Sequence, residues 1–272
     1  LGNDKEVRIG VSSPGGDFGD PVDHVLAVGL AGGMELENLV SAIENGIGNT
    51  LGFLLIILGL GAMLGKLVAD RGAAQRITSV LVRRFGTKNV QWAVVLTGFI
   101  VGIPMFYTVG FVILVPLVFT VAASTRLPLL YVGIPMLASL SVTHGYLPPH
   151  PAPTAISEIF QADLGKTLLY GILIAIPAII VAGPLLSRNF KNIPASPLAE
   201  FVNPRVLEEK EMPGIWTSIL TALLPVLLIG TATLSELLLP ESLLVRRGLS
   251  FIGNPAIAML LSVLVAIYTL GL

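Results

Sequence analysis

Two histidines six positions apart, His144 and His150, stand in the stretch Ala138 to Glu158, ASLSVTHGYLPPHPAPTAISE, among hydroxyl side chains and four prolines. Histidine titrates near neutrality, so one placed at membrane depth is a natural proton carrier, whereas one in a loop beside a membrane is ordinarily inert. Residue type alone leaves both readings open for each of the two. Ser139, Ser141 and Thr143 alternate with apolar residues just ahead of His144. Their hydroxyls can meet a ligand or bond the preceding helical turn. His144, His150 and Glu158 are all of metal-ligating type, but their spacing fits no helical zinc motif and no H-E-x-x-H occurs. The chain has no nucleophile elbow, no Walker A loop and no cysteine. No metal, cofactor or enzymatic activity is expected.

The backbone that carries these side chains cannot be one helix. Pro148, Pro149, Pro151 and Pro153 have no amide donor, and each disfavours the α conformation in the residue before it. The stretch is therefore predicted to be extended or unwound, with Thr154 capping a short helix to Phe160. Inside a bilayer such backbone is tolerated only where protein buries it or where it lines a watery cavity, as in many transport sites. A proline-rich loop in water is the alternative.

Composition decides the solvent. The chain is 54% hydrophobic and 12% charged, with a mean hydropathy of +0.86, where soluble domains are about 25% charged. This is a multi-pass membrane protein in a lipid bilayer. A net charge of −1 offers no case for nucleic acid. No acidic residue lies between Asp70 and Glu158, whereas Arg71, Arg76, Arg83, Arg84, Lys88 and Arg126 all do.

Residues 1–24 show no helical or strand periodicity and read as an irregular polar tail. Glu35 to Asn45 has the spacing of a short amphipathic surface helix, and Thr50 to Val68 that of a first apolar run. AAQRITSVLVRRF, within Asp70 to Lys88, predicts a second interfacial helix with Ile77, Val80, Leu81 and Phe85 on one face. From Asn89 to Thr125 there is no charge. A helix of that length would measure about 55 Å against a hydrocarbon core of about 30 Å, so it must fold back. Gly102, Pro104 and Gly110 put the tip at Pro104 to Gly110, with Thr108 beside Tyr107. Further runs cover Leu127 to Tyr146, Leu168 to Leu186, Ile215 to Leu239 and Leu249 to Leu272. Asp163, Gly165 and Lys166 are expected in a polar bend.

GFLLIILGLGAMLGKLVADRGAAQRI, QWAVVLTGFIVGIPMFYTVGFVILVPLVF, LPLLYVGIPMLASLSVTHGYLPPHPAPTAI and ADLGKTLLYGILIAIPAIIVAGP resemble the first half of the gluconate permease family of bacterial inner-membrane proton symporters. The resemblance runs from about Val25 to the end, and THGYLPPHPAPTAI is a highly specific signal of it. It implies an all-α membrane protein, a polytopic transmembrane helix bundle with a re-entrant hairpin and a broken helix, the first repeat of an inverted-repeat ion-coupled transporter. Pro104 to Gly110 is then similar to the hairpin tip, and Thr143 to Thr154 to the unwound part of the broken span.

The domain organisation expected is a tail at 1–24, a first repeat at 25–187, a polar loop at 188–213, and two helices at 214–272 that begin a second repeat. Thr108, Ser141, Thr143, His144, His150 and Thr154 are the expected substrate-binding residues, with His144 and His150 coupling protons. The expected function is transport of gluconate or a related hydroxy-carboxylate by proton symport in the bacterial inner membrane, in a truncated form that can pair with another copy. A non-transporting truncated membrane protein or assembly partner is the alternative.

Overall fold

The computed structural model describes residues 21–193 and 207–271, and every regular element among them is helical. Residues 1–20 of the expected tail and 194–206 of the expected loop lie outside that description. Two compact units divide the chain, Leu1–Gly52 and Phe53–Leu272.

In the first unit, α1 (Pro21–Ala31) leads through a turn at Gly33, whose φ of 76° suits glycine, into the start of α2. Leu39 of α2 is buried against Gly29, where a Cβ would run into it. Helix α2 runs from Leu36 to Asp70 without interruption. The surface helix expected at Glu35 to Asn45 is therefore not separate from the apolar run at Thr50 to Val68. Nothing between them breaks a helix as proline would, and Gly46 and Gly48 cost only about 1 kcal/mol each.

The second unit holds α3 (Ala73–Phe85), α4 (Val90–Gly102), α5 (Tyr107–Thr125), α6 (Leu129–Tyr146), α7 (Pro151–Ile159), α8 (Leu164–Ile180), α9 (Ile215–Leu238), α10 (Leu244–Ile252) and α11 (Pro255–Gly271). Among the described residues, α5, α9 and the helical stretch Leu164–Phe190 that begins with α8 are long and apolar enough to cross a membrane. Helices α10 and α11 make a fourth candidate, bent by 71°. That bend replaces the single run expected at Leu249 to Leu272. Asn254 and Pro255 cause it: the Asn254 side chain accepts from the Ala256 amide at 3.1 Å, and proline suits the first turn of the new helix.

Helix α3 has the predicted amphipathic character. Ile77 is buried, Val80, Leu81 and Phe85 are partly so, and Arg83 and Arg84 are exposed. Gln75 exchanges two hydrogen bonds of 3.2 Å with the backbone of Leu207, and Glu209 accepts from Arg76 at 2.8 Å and Arg83 at 3.0 Å. The described end of the polar loop is thereby strapped to α3. The polar bend expected at 163–166 is a helix start instead. Asp163 caps α8 by accepting from the Lys166 amide at 2.7 Å, leaving Gly165 and Lys166 helical.

Helix α6 packs against α4, α5 and α8. Close approach needs small residues at the contacts, since lipid offers helices no hydrophobic drive to associate. At Gly98 of α4 a Cβ would stand 2.6 Å from the Met136 carbonyl oxygen, and at Gly171 of α8 it would stand 2.6 Å from that of Tyr146. Ser139 closes the α4–α6 seam by donating to the Val95 carbonyl at 2.8 Å. Helix α4 is apolar on every side and buried at nine of its thirteen residues. Val94 and Val101 enter one core cluster with Met136 and Leu140, and Val95 and Ile103 a second with Leu147 and Leu168.

Candidate functional site

The site forms where two interruptions of helix meet. The first lies at Ile103 to Phe106, between α4 and α5. A Cβ on Gly102 would lie 3.1 Å from Leu140 Cδ1, and one on Gly110 2.8 Å from the same atom. Two positions eight residues apart thus come within about 6 Å, where an unbroken helix would hold them about 12 Å apart. The helix breaks here as expected, though the break falls earlier than Pro104 to Gly110, because α5 starts at Tyr107. Helix α4 is only thirteen residues long, about 20 Å, too short to span by itself.

The second interruption lies between α6 and α7 and is shorter than predicted. Only Leu147 to His150 is non-helical, so Thr143 and His144 belong to the last turn of α6. His150, not Thr154, is the N-cap of α7. Pro151 and Pro153 are accommodated because the first turn of a helix has no intrahelical use for their missing amides. The Pro148–Pro149 bond is cis.

Those prolines also decide which backbone groups remain for a ligand. From Leu147 to Thr154 the amides of Leu147, His150 and Thr154 bond the carbonyls of Thr143, Leu147 and His150. Four prolines have none to give, so Ala152 supplies the one N–H left at the start of α7. The Pro149 carbonyl has no helical donor four residues on, because Pro153 stands there.

His150 is 3% exposed. Its Nε2 lies 3.0 Å from the carbonyl oxygen of Gly102 at the end of α4, and its Nδ1 lies 3.2 Å from Nδ1 of His144. The two rings have centroids 4.7 Å apart, and His144 faces the rings of Phe106 and Tyr107 at 6.4 Å each. One chain of contacts thus ties the α6–α7 break to the α4–α5 break.

The predicted hydroxyls have different circumstances. Thr143 is fully buried beside Gly102, and its Oγ1 donates to the Ser139 carbonyl at 2.7 Å, so it packs the joint. Thr154 is fully buried, yet its Oγ1 has no partner, an arrangement that ordinarily calls for water or a ligand. Ser141 and Thr108 are exposed and make no hydrogen bond with the histidines. Glu158 lies at the far end of α7, and no three metal-ligating side chains gather among the described residues. Sequence reasoning missed the Gly102 carbonyl, whose only signal is a glycine two residues before Pro104, and the rings of Phe106 and Tyr107.

Several membrane-length helices, two facing breaks and a buried histidine, His150, paired with the half-buried His144 describe a multi-pass membrane protein. Residues 24–272 match the GntP family permease description, and the chain belongs to that family. It is 54% identical over 244 residues to the Gnt-II system L-idonate transporter of Escherichia coli (strain K12), covering 90% of this chain and 56% of that protein. It is 52% identical to a high-affinity gluconate transporter of the same strain, over 91% of this chain and 56% of the relative. It is also 47% identical to the gluconate permease of Bacillus subtilis (strain 168), over 90% and 57%. The chain therefore spans little more than half the length of these relatives. All three are named as carriers rather than enzymes. No solved structure matches the chain.

Proposed function

We propose that this chain is the part of a sugar-acid carrier that holds a hydroxy-carboxylate such as gluconate or idonate between the fold-back and the broken span, and that a proton moves with it across the bacterial inner membrane. The observation that carries this reading is the bond from His150 to the Gly102 carbonyl. It joins the two irregular segments at a titratable side chain, so substrate or proton there bears on both. The free Thr154 hydroxyl, the Ala152 amide and the exposed hydroxyls of Ser141 and Thr108 supply donors and acceptors suited to a carboxylate and a row of hydroxyls. Thr143 holds Gly102 in register. On this reading residues 25–187 form a first repeat, 188–213 a polar connection and 214–272 the opening of a second.

The chain lacks cysteine, so a single thiol reports without background. Gly145 is exposed and has open space where a Cβ would go. A Gly145→Cys variant in lipid vesicles is expected to react with a small hydrophilic thiol reagent, and gluconate is expected to slow that reaction. Reaction at the same rate with and without gluconate would overturn the assignment of the site.

A further inference from the structure

The hydrogen bonds of the histidine pair determine where its hydrogens sit. A carbonyl oxygen only accepts, so the 3.0 Å contact with Gly102 requires a hydrogen on His150 Nε2. A neutral His150 then has its lone pair on Nδ1. That lone pair faces His144 Nδ1 at 3.2 Å, so His144 carries its own hydrogen on Nδ1. Nε2 of His144 is left bare. It is the one ring nitrogen of the pair that can take a proton with both contacts intact.

We infer that His144 and His150 form a one-proton unit, in which the proton enters at His144 Nε2 and His150 shares it through Nδ1 while keeping its Nε2–H on the Gly102 carbonyl in both charge states. The inference rests on the proton-coupling reading above and assigns separate roles within it. On entry one N–H bond forms at His144 Nε2, and the imidazolium still donates from Nδ1 to His150. Transfer of that Nδ1 hydrogen across 3.2 Å moves the charge to His150 and leaves His144 neutral with its hydrogen on Nε2. No ring turns. A second proton would leave an N–H on each Nδ1, opposed across 3.2 Å with no acceptor between them, so it enters only if the contact breaks.

Among the described residues, no ion pair and no further hydrogen bond engages either histidine ring. Helix α5 presents the Tyr107 ring at 6.4 Å from His144, and α4 presents the Gly102 carbonyl. Glu158 is two turns beyond His150 on α7, and Lys166 and Tyr170 of α8 are exposed. None of the described ion pairs includes either histidine.

The chain has three histidines, and His24 is exposed on α1, so a His24→Gln variant leaves the pair alone. Labelled with 15N-histidine and placed in lipid nanodiscs at about pH 8, it is expected to show one ring with hydrogen on Nδ1 and one with hydrogen on Nε2. A His144→Gln variant tells the two apart. On acidification to about pH 5 the two rings together are expected to gain one proton while one Nε2–H signal stays constant. A full proton on each ring, none on either, or two neutral rings both carrying Nε2–H would overturn the one-proton unit. This readout needs neither substrate nor transport. If it holds while gluconate uptake ignores the proton gradient, the coupling reading fails and the unit stands. If uptake is proton-driven while the rings titrate separately, the unit fails and coupling stands.

Discussion

Alanine at Gly98 and alanine at Gly102 should differ sharply, although they are the same substitution one turn apart on α4. Both gain about 1 kcal/mol of helix propensity, so their difference isolates packing. The new Cβ at 98 meets the Met136 carbonyl oxygen at 2.6 Å, a backbone atom locked in α6. Ordinary van der Waals contact begins at 3.4 Å, so α4 must back away by about 0.8 Å. At 102 the nearest atoms are side-chain carbons of Leu140 at 3.1 Å and Thr143 at 3.3 Å, which yield by a few tenths of an ångström. Overpacking of the first kind costs about 1–3 kcal/mol. The same 0.8 Å, carried one turn along the helix, stretches the His150–Gly102 contact from 3.0 Å to about 3.8 Å, beyond hydrogen-bond range. Gly98→Ala is therefore expected to melt below Gly102→Ala in detergent and to lose the 15N signature of the bonded His150 Nε2–H, which Gly102→Ala retains. Equal melting temperatures with an unchanged His150 signal in both variants would refute the reasoning.

Three further outcomes follow from the same geometry. Cysteine at Arg83 should be labelled by membrane-impermeant reagents only in inverted vesicles, because five cations crowd Arg71 to Lys88 without an acid and the positive-inside bias places them in the cytoplasm; labelling from outside intact cells would reverse the topology. Glu209 accepts hydrogen bonds from Arg83 and Arg76, which, with their charges, hold its carboxyl below the usual value. Its contribution is therefore present above the unfolded value of about 4.3 and lost as pH falls through the lower folded one. Proteolysis of the 207–213 strap should be faster in Glu209→Gln than in the unaltered chain at neutral pH, and the rates should converge in acid; a constant ratio would count against the clamp. His144→Asn, made in a whole carrier containing this segment, should spare gluconate exchange more than proton-driven accumulation, since asparagine keeps hydrogen bonding but not titration near neutrality; equal loss of both would mark the histidine as structural.

What the sequence by itself determined are properties that depend on local covalent chemistry or on composition. A chain this apolar has to lie in lipid, and lipid admits helices because each satisfies its own backbone. Four prolines within six residues must end α6, and an uncharged run of 37 residues must be interrupted. These follow from a missing amide and from the thickness of a bilayer. The Ile77 face of α3 was legible for a similar reason, since an amphipathic period has one buried side.

Tertiary structure decided which groups meet and which stay free. Nothing in the period or spacing of the chain says that the ring of His150 lies against a carbonyl 48 residues earlier, because that contact depends on how α4 seats on α6. Thr143 and Thr154 are alike in type and both buried, yet one hydroxyl is bonded to its own helix and the other is vacant. The break was misjudged for a physical reason too. Proline reads as a helix breaker from sequence, but at the first turn of α7 it is a helix starter, and only the placement of His150 as the cap told the two apart.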